Sequence, residues 1–276
     1  MAISAKDVKR LRDMTGVGMM DCKQALEEAN GDFDRAVEVL RKKGQKVAAK
    51  RADREANEGL IVAALSGDQR SGAMTEVNCE TDFVARNDEF GTFASEVVQL
   101  VLARKPDTLD DLNAVEMKGG KTVGQTVFDL TGKIGEKIDI RRFAVLESDS
   151  GKIVSYIHPG SRLGVLVEIQ GNGRADEAGT DVAMQVAAMN PVATRTDEVP
   201  QDLKDKELEI ARETAKNEGK PENIVDRIAQ GKLERFYKDH VLIEQPFVKD
   251  SSMTVKEMLK QAGVDVKRFI RYALGE

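Results

Sequence analysis

Gly59-Leu60-Ile61-Val62-Ala63-Ala64-Leu65-Ser66 and Ala73-Met74-Thr75-Glu76-Val77-Asn78-Cys79 stand on either side of Gly67-Asp68. The apolar period changes here. Upstream, apolar residues recur every three or four positions. From Gly59 they run in short stretches with a turn signal between them, which predicts two paired strands.

N-terminal to this pair the spacing is helical. Ser4 suits an N-cap, and Val8, Leu11 and Met14 form an apolar stripe that Thr15-Gly16-Val17-Gly18 interrupts. A second helix carries Cys22, Ala25, Leu26 and Ala29 and stops at Asn30-Gly31. Asp32 opens a third, with Phe33, Ala36, Val37 and Leu40 turned inward and an end at Gly44. Gln45 to Asn57 is polar and basic and is expected to form an exposed helical linker. A three-helix N-terminal domain with its linker is therefore expected over residues 1–56.

C-terminal to the strand pair, Asn87 or Asp88 starts a helix through Phe90, Phe93, Val97, Val98 and Val101. Thr122 and Gln125 make a capping box before Val127, Leu130 and Ile134. Strand signals return at 138–146, 153–157 and 163–169, followed by a helix from about Asp176 to Met189. Blocks of strands and helices in this order argue α+β with antiparallel sheets rather than a doubly wound sheet. Residues 201–240 carry two charged helical stripes around Asn217–Pro221, an antiparallel hairpin expected to pack mainly on itself. A capping box at Thr254 and Glu257 and a last strand over 266–273 complete the chain. The expected division is residues 57–145 for one core subdomain and 146–276 for a second, with the hairpin inserted at about 201–240.

Composition limits the function. Charged residues are 33% and the formal net charge is -6, so a broad phosphate-binding surface is not expected. The basic segment 41–54 supports one alternative, an RNA-binding protein. Aromatics are 4%, so the cores must be aliphatic. Lys6, Asp7, Lys9 and Arg10 precede no apolar run, no stretch has the length of a membrane span, and only Cys22 and Cys79 occur. No signal peptide, no membrane association and a cytoplasmic location are expected.

The signatures of catalysis are weak. Gly120-Lys121-Thr122 resembles the end of a phosphate-binding loop, but the glycine needed five residues earlier is Val115. Gly171-Asn172-Gly173 has Asp176 where a third glycine would stand and is expected to be a turn. His158 and His240 are far apart and no CxxC exists. No catalytic residue, metal ligand or cofactor is expected, and the protein is read as a non-enzyme.

Two segments stand out. In Leu11-Arg12-Asp13-Met14-Thr15-Gly16-Val17-Gly18-Met19-Met20-Asp21-Cys22-Lys23-Gln24-Ala25-Leu26, adjacent methionines sit at a helix-to-helix turn. They fill the small core or offer a soft contact surface. In Glu76-Val77-Asn78-Cys79-Glu80-Thr81-Asp82-Phe83-Val84-Ala85-Arg86 a strand ends and an aromatic falls in the connection, as a core plug or as an anchor for a partner.

These two segments resemble the signature stretches of the elongation factor Ts family, the guanine-nucleotide exchange factors of bacterial elongation factor Tu. Lys133-Ile134-Gly135-Glu136, Arg141-Arg142, Ser155-Tyr156, Gly164-Val165-Leu166-Val167 and Gln245-Pro246-Phe247-Val248 match as well, in order along nearly the whole chain. The resemblance implies a ubiquitin-associated-like three-helix domain, a core of two antiparallel-sheet subdomains and a helical hairpin inserted in the second. It implies binding to elongation factor Tu, GDP-bound and nucleotide-free, with a homodimer possible within that complex. Arg12, Met19, Met20 and Lys23 are similar to the part that meets a helix of the GTPase domain. Thr81, Asp82, Phe83 and Val84 resemble the element that displaces Mg²⁺ from the nucleotide site. His158 resembles a contact of the second subdomain with another Tu domain. Many members continue beyond the last strand into a further helix that contacts Tu, and this chain stops at Gly275-Glu276.

Overall fold

A computed structural model describes residues 3–51, 53–171 and 173–276, and in it the chain is α+β. The turn expected at Gly171-Asn172-Gly173 has its middle residue, Asn172, outside the described residues, as is Ala52 of the expected linker. The chain divides into two compact units, one of residues 1–62, 75–144 and 273–276, the other of 63–74 and 145–272.

The first unit begins with helices α1 (Ala5–Thr15), α2 (Met19–Glu28) and α3 (Phe33–Arg51). Ser4 caps α1 in a full capping box with Asp7, and Gly16 ends the helix in the left-handed conformation that glycine adopts at least cost. Val8, Leu11, Cys22, Ala25, Leu26, Ala29, Ala36 and Leu40 close a small aliphatic core between the three helices. Val37, expected to point inward, is instead partly exposed. With Val17, Leu40, Phe128 and Leu130 it lines a cavity of about 500 Å³.

Strands β1 (Glu58–Leu65) and β2 (Ser71–Cys79) follow, then a single helical turn α4 (Asp82–Ala85). Next come α5 (Asp88–Arg104), α6 (Leu109–Ala114), α7 (Val123–Ile134) and β3 (Ile138–Glu147), and the sheet order is β1-β2-β3. The short α6, capped by Thr108 with Asp111, has too few apolar residues to announce itself. The capping box of Thr122 and Gln125 opens α7, and the neighbouring Lys121 pairs with Asp129, so the Gly-Lys-Thr sequence serves a helix start.

The third helix departs most from the sequence reading. Gly44, read as its end, lies inside it, and α3 continues to Arg51. The reason is tertiary. A Cβ on Gly44 would lie 3.3 Å from Cα of Gly132 in α7. Glycine here is a contact residue that lets two helix backbones approach, and that packing overrides its poor helix propensity.

The second unit carries β4 (Lys152–Ile157), β5 (Leu163–Gly171), α8 (Ala175–Met189), α9 (Gln201–Asn217) and α10 (Glu222–His240). It ends with the ribbon of β6 (Pro246–Phe247) and β7 (Asp250–Thr254), then α11 (Val255–Ala262) and β8 (Val264–Ala273). Strands β4 and β5 are antiparallel, with Val154 opposite Val167, and the sheet order is β4-β5-β8. Val165, Val167, Ile169, Val182, Val186 and Leu259 belong to its aliphatic core. The α9–α10 hairpin buries Ala211, Ala215, Val225, Ala229 and Leu233. At its root Leu203, Phe236 and Tyr237 pack against the unit's core, so the hairpin is anchored by its base. Gln185 and Gln245, fully buried and bonded to each other at 3.1 Å, fix the chain's return from α10.

The helix crossing makes an asymmetric prediction. A Cβ on Gly132 would lie only 2.7 Å from Cα of Gly44, against backbone that cannot rotate away, whereas one on Gly44 has 3.3 Å. Gly132→Ala should lower stability by about 1–3 kcal/mol through overpacking. Gly44→Ala should be near neutral, because about 1 kcal/mol of gained helix propensity offsets the tighter contact. Thermal unfolding of the two variants checks the asymmetry, and equal effects would contradict it.

Candidate functional site

The site is built around the connection from β2 to α5. Strand β2 ends at Cys79, whose buried thiol bonds the Thr81 carbonyl at 3.2 Å. Burial, with the Glu136 carboxylate next in effect, pushes that thiol up to about 12, so it stays protonated and unreactive. The chain then makes the single turn of α4. Val84 is buried and roots the turn, whereas Phe83 is 81% exposed. Phe83 is therefore not a core plug.

Two carboxylates hold this turn in a crossed arrangement. The Thr81 N–H donates to Oε2 of Glu136 at 3.0 Å, and the Thr81 hydroxyl donates to Oε1 at 2.8 Å. In return the Lys137 N–H donates to Oε1 of Glu80 at 2.7 Å. Each loop therefore gives a backbone N–H to a carboxylate of the other. Arg51, in the last turn of α3, donates to both Glu80 oxygens at 3.0 and 2.8 Å, and Arg54 reaches Oε2 at 3.3 Å. Burial raises the Glu80 carboxyl, but the Lys137 N–H and the two guanidinium groups together outweigh it and hold the group below the usual carboxylate range. Asp82 pairs with Arg86 at 2.8 Å on the outer side of the turn.

The other sequence-predicted surface lies at the turn from α1 to α2. Thr15 Oγ1 donates to the Leu11 carbonyl at 2.8 Å and the Cys22 thiol to the Val17 carbonyl at 3.4 Å, so the turn is tied down from both helices. A Cβ on Gly16 would fall on Cε of Lys133, which itself pairs with Glu89 at 2.6 Å. The methionines do not fill the core. Met14, Met19 and Met20 are 60%, 42% and 75% exposed. Arg12 is exposed, and Lys23 faces Glu27 at 3.8 Å on the solvent side of α2.

His158 belongs to the second unit, in the exposed connection after β4. Its Nδ1 is 2.8 Å from the Tyr156 hydroxyl, and its backbone N–H donates to the Leu163 carbonyl at 2.9 Å. The first unit thus carries both the methionine turn and the Phe83 turn. Sequence reasoning missed Glu80, Arg51 and Arg54 as supports, and Glu136 appeared only as part of a matching motif. Their partners are dozens of residues away, a separation that local pattern does not reveal. Among the described residues no group of three or more His, Cys, Asp or Glu is placed to hold a metal ion, and both cysteines are buried and free. No described helix is long and apolar enough to cross a membrane.

Comparison with known proteins adds a family. Residues 80–276 match the family model described as elongation factor TS. The chain is 48% identical to the elongation factor Ts of Prosthecochloris aestuarii and 48% identical to that of Chlorobaculum parvum, with 99% of each chain covered. It is 47% identical to that of Amoebophilus asiaticus, with both chains covered in full.

The Glu80 interaction is pH-dependent with a definite sign. Its carboxyl is held below its ordinary value in the folded chain, so the stabilisation is complete above pH of about 4.5 and is lost as pH falls through the folded value. Glu80→Gln should be less stable than wild type at pH 7, and the gap should narrow toward pH 3. Denaturant midpoints measured across that range decide it; a gap that widens in acid would contradict the arrangement.

Proposed function

Because this chain belongs to the elongation factor Ts family, we propose that it binds elongation factor Tu carrying GDP and speeds release of the nucleotide. The observation that carries the reading is the exposed Phe83 on a turn held from beneath by Glu80 and Glu136. A large apolar ring held out in water on a fixed support is suited to fill a pocket in a partner.

The mechanism follows from linkage. Exchange factor and GDP bind the same GTPase, and each weakens the other by one shared coupling free energy. Phe83, entering the GTPase near its nucleotide site, shifts the groups that hold Mg²⁺. The phosphates then lose the counter-charge that the ion supplied, and GDP leaves. Full burial of an aromatic side chain contributes roughly 1.5–3 kcal/mol, which corresponds to about one or two orders of magnitude in an equilibrium. No covalent step is involved, and this chain acts as a binding protein rather than an enzyme.

The methionine turn supplies affinity. Met19 and Met20 offer flexible, polarisable side chains to a partner helix, flanked by Arg12 and Lys23 for polar contacts. His158 gives the second unit a separate polar contact. The RNA-binding alternative is less well supported. Arg51 and Arg54 are engaged by Glu80, and Lys43 by Asp21 at 2.7 Å, so part of the basic segment 41–54 is already paired within the chain.

Two measurements on the same proteins test the assignment. Phe83→Ala should leave the melting temperature nearly unchanged, because the ring is exposed, while release of labelled GDP from elongation factor Tu falls about 10- to 100-fold. Wild-type release by Phe83→Ala would remove Phe83 from the mechanism. Met19→Ala combined with Met20→Ala should raise the concentration needed for half-maximal release and leave the saturating rate in place. A reduced saturating rate with unchanged half-saturation would reverse that division.

A further inference from the structure

We propose that Glu136 is a positioning residue for exchange, holding the Phe83 turn in its raised attitude through Thr81. The proposal rests on the reading of Phe83 as the residue that enters the GTPase. Phe83 is 81% exposed, so packing around its ring does little to fix its direction. Its direction must come from the backbone that carries it. Of the residues beside it, Asp82 makes an exposed pair with Arg86, an interaction that holds weakly in water. Val84 anchors the far side of the turn by burial but sets no angle for residue 83.

Thr81 carries the angular information. It is the N-cap of α4, extended at φ −128 and ψ 155, yet its side chain makes no capping bond to that helix. Its hydroxyl proton and its backbone N–H both go to the Glu136 carboxylate. Two donors on one residue, bound to one carboxylate, tie its backbone and side chain together. Glu136 is itself placed firmly. Gly135 ends α7 in the left-handed conformation, and the next peptide N–H, that of Lys137, is held by Glu80. Residue 83 is thus oriented from a fixed point two residues upstream, with no contact that would cover the ring. Removing the carboxylate frees two donors that water can satisfy. The turn stays folded but samples other directions, and preorganisation is lost rather than stability.

The test uses the full chain, labelled GDP release from elongation factor Tu, and three variants: Phe83→Ala, Glu136→Ala and the double variant. Glu136→Ala should lower the saturating release rate about tenfold, as expected for a misplaced group, with half-saturation little changed. Backbone amides of residues 81–86 should exchange hydrogen faster, and the melting temperature should hold. Glu136→Asp, which keeps the charge, should recover part of the rate. The double variant should be no slower than Phe83→Ala alone, because a support for an absent ring has nothing to position. A normal rate for Glu136→Ala, with Phe83→Ala defective, overturns the proposal and leaves the wedge standing. A full additional loss in the double variant also overturns it. A normal rate for Phe83→Ala removes the wedge and this proposal with it. If Glu136→Ala unfolds below the assay temperature, Thr81→Val, which removes only the hydroxyl donor, carries the same comparison.

Discussion

Where α3 and α7 cross, the backbones of Gly44 and Gly132 are in contact, and both helices run on from there to the same place. Arg51, in the last turn of α3, holds Glu80, and Glu136, just past the end of α7, holds Thr81. The crossing therefore bears on the spacing of two supports that meet at the Phe83 turn. The start of α3 meanwhile belongs to the small three-helix core that displays Met19 and Met20. The close approach of the two glycines, with Lys133 lying against Gly16 and pairing with Glu89, thus links the methionine turn to the phenylalanine turn. A side chain at Gly132, whose Cβ would come within 2.7 Å of the Gly44 backbone, would push the helices apart, and hydrogen bonds weaken quickly when donor and acceptor are drawn apart.

The order of elements was legible because each boundary carries its own local chemistry. Ser4, Thr122 and Thr254 are caps with an acid or amide three residues on, and all three do open helices through that box. The strand periods at 59–66, 73–79 and 163–169 were equally plain, since aliphatic runs of that length between turn residues have few other uses. Gly44 was misread because a glycine that ends a helix and one that lets a helix approach another look the same in sequence. The short α6, the β6–β7 ribbon and the anchoring of the hairpin through Phe236 and Tyr237 depend on contacts made across the fold, for which a linear pattern has no sign.

The candidate site divides in the same way. The unusual residues, two methionines and an aromatic among charged neighbours, could be found by composition alone, but their exposure could not. An exposed and a buried Phe83 are both compatible with the flanks Asp82, Arg86, Asn87 and Asp88. The clamp was invisible because Glu80 and Glu136 are ordinary acids in an acidic protein. They acquire meaning only when chain segments more than fifty residues apart are brought together.

The choice of polar supports has a physical reason. A ring held in place by packing is a ring already covered, and it would have to be uncovered before it could enter another protein. Hydrogen bonds from a carboxylate to a neighbouring residue orient the backbone and leave the side chain bare. The arrangement also separates two requirements that conflict within a short segment. Val84 goes into the core and roots the turn, its neighbour Phe83 stays out, and Thr81 is held to Glu136 just upstream. Exposed Phe83 and Met20 leave apolar area in water without stabilising the free protein, and that area becomes favourable only when a partner covers it. The stability of the fold is supplied elsewhere, by aliphatic burial in the sheets and helices, and does not depend on covering these two side chains.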